Sequence, residues 1–249
     1  MELSIVMRTY NRLEYTIRSI MSIDEKSGLN RDKYEIVCVD QGSTDGTKEW
    51  LNFCIKEKYY PIVPIFLDQN VGDGLGMQEG IDRAKGDFIA QHDNDVEIVT
   101  ENYYKELMDI YKSLEKSEKV CAIGGQHKQG VDQNSAPWRF GEKRYPNFLN
   151  EIRKCVLVPI KDSRHFLYPI SWVTAAFIFR KKFISIPFTK GMCNSWCGEW
   201  WDRGYDNFSC ETLKFWHIDS GETGAHVEKQ AKKFPSYNYT LIHYSKFIK

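Results

Sequence analysis

The rhythm of the first half of the chain constrains its fold more than any other feature, because short apolar runs alternate there with stretches of helical spacing. Leu3 to Met7 is a strand-like run, and Leu13, Ile17, Ile20 and Met21 follow at helical spacing. Tyr34 to Val39 forms a second strand, ending at Asp40. A turn over Gly42-Ser43-Thr44-Asp45-Gly46 leads into a helix carrying Trp50, Leu51, Cys54 and Ile55. Ile62 to Leu67 is a third strand, and a Gly-rich turn (Asn70, Gly72, Gly74, Gly76) precedes a helix through Ile81 and Ala84. Phe88 to Ala90 is a fourth strand, running into Gln91-His92-Asp93-Asn94-Asp95. Thr100 is placed to cap a long helix bearing Tyr104, Leu107, Met108, Tyr111 and Leu114. This order predicts βαβ units and an α/β fold around a mainly parallel twisted sheet flanked by helices.

Length permits one such domain with a full core, since the chain has 249 residues. Residues 1–120 are expected to form a Rossmann-like nucleotide-binding half, and 121–249 to complete the sheet and form the acceptor and base side. Formal charge is balanced and no long Lys/Arg run occurs, which speaks against nucleic acid as a partner. No apolar run is long enough to span a bilayer, and the first residues lack a basic segment followed by an apolar one. A cytoplasmic protein, or one peripheral at the membrane, is the expectation. The seven cysteines are irregularly spaced. Cys193, Cys197, Cys210 and His217 lack the paired C-x-x-C spacing of structural zinc sites, so the thiols are read as unpaired.

In open parallel sheets, ligands bind outside the carboxyl ends of the strands. Thr9, Tyr10 and Asn11 follow strand one, Asp40 ends strand two, and Asp93 and Asp95 end strand four. Side chains two apart in an extended segment share a side, so Asp93 and Asp95 are expected to present paired carboxylates. Such a pair suits a hard divalent cation, Mn²⁺ or Mg²⁺, which completes its shell with water and phosphate oxygens. The plainer reading is a solvated turn before the Thr100 helix.

Three segments carry a family resemblance: Ile5-Val6-Met7-Arg8-Thr9-Tyr10-Asn11-Arg12, Val39-Asp40-Gln41-Gly42-Ser43-Thr44-Asp45-Gly46-Thr47, and Ala84-Lys85-Gly86-Asp87-Phe88-Ile89-Ala90 before Asp93-Asn94-Asp95. In order and spacing they resemble glycosyltransferase family 2 and its GT-A relatives. Further on, Thr174 to Lys181, with Ala175, resembles the small-residue strand that the family places near the sugar. Glu199-Trp200-Trp201-Asp202-Arg203-Gly204-Tyr205-Asp206 resembles its aromatic pair and Gly-Glu-Asp. The chain departs from the common pattern at Arg8, where Pro is frequent, and at Gln41, in place of a second Asp. Met77-Gln78-Glu79 stands where Ala-Arg-Asn is typical, and Tyr205 replaces a Glu.

The resemblance implies a single GT-A-like domain that transfers a sugar from a nucleotide diphosphate sugar, typically UDP-linked, to a glycan, lipid-linked or protein acceptor. By the same resemblance Thr9, Tyr10, Asn11, Asn70, Gly72 and Ala175 line the donor pocket, and Asp40 accepts a hydrogen bond from the base. Asp93 meets ribose or metal, and Asp95 holds the metal. His226 is the third metal ligand, with His217 and His243 as competitors. Asp206 is the general base, with Glu199 and Asp202 as alternatives, and Trp200 and Trp201 are the acceptor-binding pair, one ring packing inward while the other faces the acceptor. One displacement at the anomeric carbon inverts its configuration. Each position also has a structural reading: Asn11 as a helix cap, Asp40 as a turn cap, and the tryptophans as core. A non-catalytic nucleotide-sugar-binding protein of the same fold would need no base. A nucleotidyltransferase would usually carry a Gly-rich loop after strand one, and residues 8–12 contain no Gly.

Overall fold

A computed structural model describes residues 1–127, 156–160, 163–170, 173, 175–188 and 192–218. The strands are β1 (Leu3–Thr9), β2 (Tyr34–Asp40), β3 (Ile62–Phe66), β4 (Phe88–His92), β5 (Val96–Ile98), β6 (Val120–His127), β7 (Val156–Ile160), β8 (Ser163–Ile170), β9 (Ala176–Arg180) and β10 (Asp206–His217). They join one sheet in the order β3-β2-β1-β4-β9-β6-β10-β8-β7, with β5 paired to β10. The helices are α1 (Leu13–Lys26), α2 (Thr47–Lys56), α3 (Asp73–Arg83), α4 (Tyr103–Leu114) and α5 (Met192–Asp202).

The expected parallel half is present: β1 pairs in parallel with β2 and β4, and β2 with β3. Side-chain alternation divides the core into two layers. Leu3, Ile5 and Met7 face α1, α2 and α4, whereas Val6, Val37 and Val39 face α3. Gly80 is where α3 closes on the sheet, because a Cβ there would meet Val6 Cγ1 at 2.3 Å. The second half turns the sheet around. β9 runs antiparallel to both β4 and β6, so β6 again runs with β4, and β10 pairs with β6 in parallel. The carboxyl ends of β1, β2, β4, β6 and β10 therefore share one edge.

Two helix starts differ from expectation. Thr100 does not cap α4, whose N-terminus lies at Asn102 in the left-handed region; the Thr100 hydroxyl instead accepts the Lys214 N–H at 2.8 Å, tying the helix approach to β10. Asn11 does not cap α1 either. Its φ is 50°, a conformation Asn tolerates, and its Oδ1 accepts the Thr44 N–H at 2.7 Å. Asp45 serves both helices instead, with Oδ2 accepting from Leu13 N and Oδ1 from Thr47 N.

Candidate metal and nucleotide site

At the shared carboxyl edge a cavity of about 340 Å³ is lined by Arg8, Thr9, Tyr10, Arg12, Gln41, Asn70, Asp73, Asp93, Asn94, Asp95 and His217. Five sequence segments thus meet there, because the ends of β1, β2, β4 and β10 and the turn before α3 come to one place.

The two carboxylates come together by a different route from the one expected. Residues 93–95 are not extended. Val96 N–H donates to Asp93 O at 3.1 Å, closing a tight turn between β4 and β5. Neighbouring residues hold that turn. Asn94 Nδ2 donates to the hydroxyls of Thr9 and Thr16, each at 3.3 Å, and those hydroxyls lie 2.8 Å apart. Asp93 N–H donates to the Ala175 carbonyl at 2.8 Å. Ala175 adopts a φ of 62° to present that oxygen, at a cost of roughly 1–2 kcal/mol for a residue with a Cβ. Beneath the turn, buried His92 lies 2.6 Å from the Tyr104 hydroxyl and 3.1 Å from Val96 O. Burial lowers its pKa to about 4, so it supports the turn as a neutral ring.

Asp93, Asp95 and His217 each offer one ligand atom, and these atoms all lie within 4.8 Å of one another. The donor set is two carboxylates and one imidazole, open to a cavity with room for water and phosphate oxygens, and it fits a Mn²⁺ or Mg²⁺ ion. Every member has a further partner. His217 Nε2 lies 3.0 Å from Asp95 Oδ1, Arg12 Nη1 donates to Asp95 Oδ2 at 2.7 Å, and Arg8 Nη2 donates to Asp93 Oδ1 at 3.3 Å. Burial raises the Asp93 carboxyl, against the opposing pull of Arg8. Burial works the same way on Asp95 but is outweighed by the hydrogen bond and charge of His217 and by Arg12, so that carboxyl lies below the usual range.

Among the described residues, His217, a competitor in the sequence reading, is the histidine at the carboxylates. His226 lies outside the described residues. Asp40 ends β2 and is 1% exposed; its Oδ1 accepts the Ser43 N–H at 3.3 Å, and burial pushes its carboxyl upward. Asn70 lines the cavity, and its Oδ1 accepts the Gly72 N–H at 2.8 Å. Tyr10 is exposed at the cavity wall. Arg12, Asp73 and Asn94 were not singled out from sequence, although each stands next to or inside a recognised motif, and Gln41 was marked only as a departure from the family pattern. Gln41 is buried, and its Oε1 accepts the Val71 N–H at 3.1 Å, so it ties the Gly-rich turn to the end of β2.

The expected base and acceptor residues are not brought to this cavity. Asp206 begins β10 and lies beside Val120, its N–H donating to Lys119 O at 2.7 Å. The site lies at the other end of β6, seven residue steps away at His127, or about 23 Å at ~3.3 Å per step. Glu199 and Asp202 are exposed on the last turns of α5, which leads back to that same far edge. Trp200 and Trp201 are buried; Trp200 packs edge-on against Phe183 and Tyr205 at 4.7 and 5.5 Å. These tryptophans are core residues. Asp206→Asn should therefore leave any reaction run in this cavity within about twofold of wild type in a steady-state assay, because most substitutions away from the reacting groups act on stability. A hundredfold loss in a folded variant would restore Asp206 as the base.

A profile described as "Glycosyl transferase family 2" matches residues 4–177. The chain belongs to glycosyl transferase family 2. An uncharacterized glycosyltransferase of Rickettsia bellii is 31% identical over 94 residues, which is 38% of this chain and 13% of that protein. An undecaprenyl-phosphate 4-deoxy-4-formamido-L-arabinose transferase of Yersinia enterocolitica is 27% identical over 51% of this chain and 38% of its own length. The matched part is thus well under half of these relatives. Among solved structures, a mannosyltransferase from Pyrobaculum calidifontis in complex with GDP-Man and Mn²⁺ superposes with a TM-score of 0.62 at 18% identity, covering 99% of this chain and 64% of that one. Residues 1–349 of S. aureus TarS in complex with UDP give 0.59 at 17% identity, covering 86% of this chain and 59% of that one. These likenesses show the GT-A fold for the family 2 chain. No helix among the described residues is long and apolar enough to cross a membrane.

Proposed function

We propose that this family 2 chain transfers a sugar from a nucleoside diphosphate donor to an acceptor in the cavity at the carboxyl edge, in a metal-dependent, inverting displacement. The observation that carries the reading is the convergence of Asp93, Asp95 and His217 beside Arg8 and Arg12. A divalent cation bound there, Mn²⁺ or Mg²⁺, would neutralise charge developing on the departing diphosphate. Arg12 would orient a phosphate by its planar fork. Thr9, Tyr10 and Asn70 would form the walls against the donor. The structures with GDP-Man and UDP support a nucleotide donor without choosing the base. Binding is tested by thermal unfolding with UDP, GDP and their sugars, with and without Mn²⁺. A ligand at 100 times its dissociation constant stabilises by about 2.7 kcal/mol, a shift of several degrees. No Mn²⁺-dependent shift with any of them would overturn the reading.

Asp40 is proposed to read the base. A buried carboxylate discriminates strongly because the wrong base leaves it unpaired. Asp40→Ala should reduce the preference between UDP and GDP by about tenfold or more, corresponding to ~1.4 kcal/mol. A preserved preference in calorimetry would make Asp40 a turn residue that holds Ser43.

For the acceptor we favour a lipid-linked phosphate over a free glycan or a protein, as the names of the Yersinia relative and of a dodecaprenyl-phosphate galacturonate synthase suggest. A phosphate is already ionised at neutral pH and requires no carboxylate to take its proton, so this acceptor does not depend on Asp206. The protein would then work peripherally at a membrane. Labelled donor with Mn²⁺ and undecaprenyl phosphate in detergent should move label into the organic phase. Transfer to soluble glycan alone would overturn the acceptor assignment.

A further inference from the structure

The cavity carries a cation that bridges its metal group to its Gly-rich wall. Arg8 Nε donates to Asp73 Oδ1 at 3.1 Å while its Nη2 donates to Asp93 Oδ1 at 3.3 Å, and the side chain is 11% exposed. Asp73 opens α3 directly after the Gly-rich turn, and Asp93 belongs to the metal group. The backbone of Arg8 is fixed by its pairing with Val39 in β2, and alternation sets its side chain on the α3 face after Val6.

A divalent ion at Asp93, Asp95 and His217 would compete with Nη2 for the same carboxylate. A guanidinium and a divalent ion a few ångströms apart on one carboxylate repel by more than thermal energy at the dielectric of a partly buried site. The Nε contact to Asp73 goes to a carboxylate outside the Asp93, Asp95 and His217 group and is not contested by the ion. A head displaced from Asp93 would keep Asp73 as its pivot and turn its N–H edge to the cavity. A metal-bound diphosphate presents paired oxygens there that match a guanidinium fork.

We propose that Arg8 is a positioning residue that occupies Asp93 while the site lacks metal and pivots on Asp73 to grip the diphosphate when metal and nucleotide bind together. The consequence is coupling: Mn²⁺ alone binds weakly, nucleoside diphosphate alone binds weakly, and the two bind strongly as a pair. The proposal rests on the metal-dependent donor site argued above. The test is Mn²⁺ binding followed by electron paramagnetic resonance, and UDP and GDP binding followed by calorimetry, on the full chain. Arg8→Gln removes the competing charge and the grip. It should bind Mn²⁺ alone about tenfold more tightly, and UDP or GDP at saturating Mn²⁺ about tenfold more weakly, within the range typical of coupled sites. Arg8→Lys keeps a charge on Asp93, and so protects the fold, but has no fork. It should leave Mn²⁺-alone affinity near wild type and still lose nucleotide affinity. If wild type shows Mn²⁺-dependent nucleotide binding and the Arg8→Gln affinities fall together or stay unchanged, Arg8 is a structural ion pair and the proposal is overturned while the donor site stands. If wild type shows no Mn²⁺-dependent binding, both are overturned.

Discussion

Asp95→Asn is expected to abolish the Mn²⁺ dependence of nucleotide binding. Asp95 is 7% exposed and uses both oxygens, one toward His217 and one toward Arg12. Asn keeps the shape of the turn and one acceptor oxygen. It removes the negative charge and turns an amide N–H₂ toward either Arg12 or His217. A divalent ion then loses a charged ligand, and the remaining carboxylate, Asp93, is shared with Arg8. Loss of groups that merely support metal ligands typically costs 10–100-fold in affinity. Loss of the ligand charge should reach about 100-fold or more for Mn²⁺. Nucleotide affinity with Mn²⁺ should fall to its metal-free value. Stability should change little, because the Arg12 side chain is 41% exposed and its ion pair is solvent-screened. Equilibrium dialysis of Mn²⁺ and calorimetry of UDP and GDP measure both. An unchanged Mn²⁺ effect on nucleotide affinity would remove Asp95 from the metal group.

The second large effect is on stability. Trp200→Ala should destabilise the protein by about 3–5 kcal/mol, the usual cost of emptying a buried aromatic site. Trp200 is 8% exposed and wedged among Phe183, Tyr205 and the guanidinium of Arg203, whose carbon lies 5.2 Å from its ring centroid. Its indole N–H is buried without a hydrogen-bond partner among the described residues. Trp200→Phe should therefore be mild, because it gives up some area but also an unsatisfied donor, and about 1.5 kcal/mol is a reasonable ceiling. Chemical denaturation separates a core residue from an acceptor platform. A platform would leave stability intact in Trp200→Ala and raise KM for the acceptor, and that result would return the tryptophan to the active site.

The local rules that worked in this sequence are those in which each residue's role depends on its neighbours. Alternating apolar runs and helical spacing placed β1 to β4 and α1 to α4 in order, though not the short β5, because strand and helix periods are properties of short segments. Parallel βαβ units then deliver the ends of β1, β2 and β4 to one edge, so Thr9, Asp40 and Asp93 were recognisable as edge residues from their positions after apolar runs. Local reasoning failed where a contact spans the chain. The carboxylate pair was expected from an extended segment, but a turn held by Asn94 and Ala175 makes it. Ala175 lies some 80 residues away in sequence, and no local pattern encodes that contact.

In the second half the deciding variable is strand direction. β9 enters antiparallel between β4 and β6, and β10 then runs parallel to β6. A residue at the start of β10 is thereby sent to the far edge and a residue at its end to the site. Asp206 and His217 lie on the same strand, so this one topological choice removes the first from the cavity and brings the second to Asp95. Apolar periodicity is identical for a strand and its reverse. The sequence by itself thus determined the α/β class, the parallel half of the sheet and the paired carboxylates, while the histidine beside them and the burial of the tryptophans were decided only by the direction in which the last strands cross the sheet.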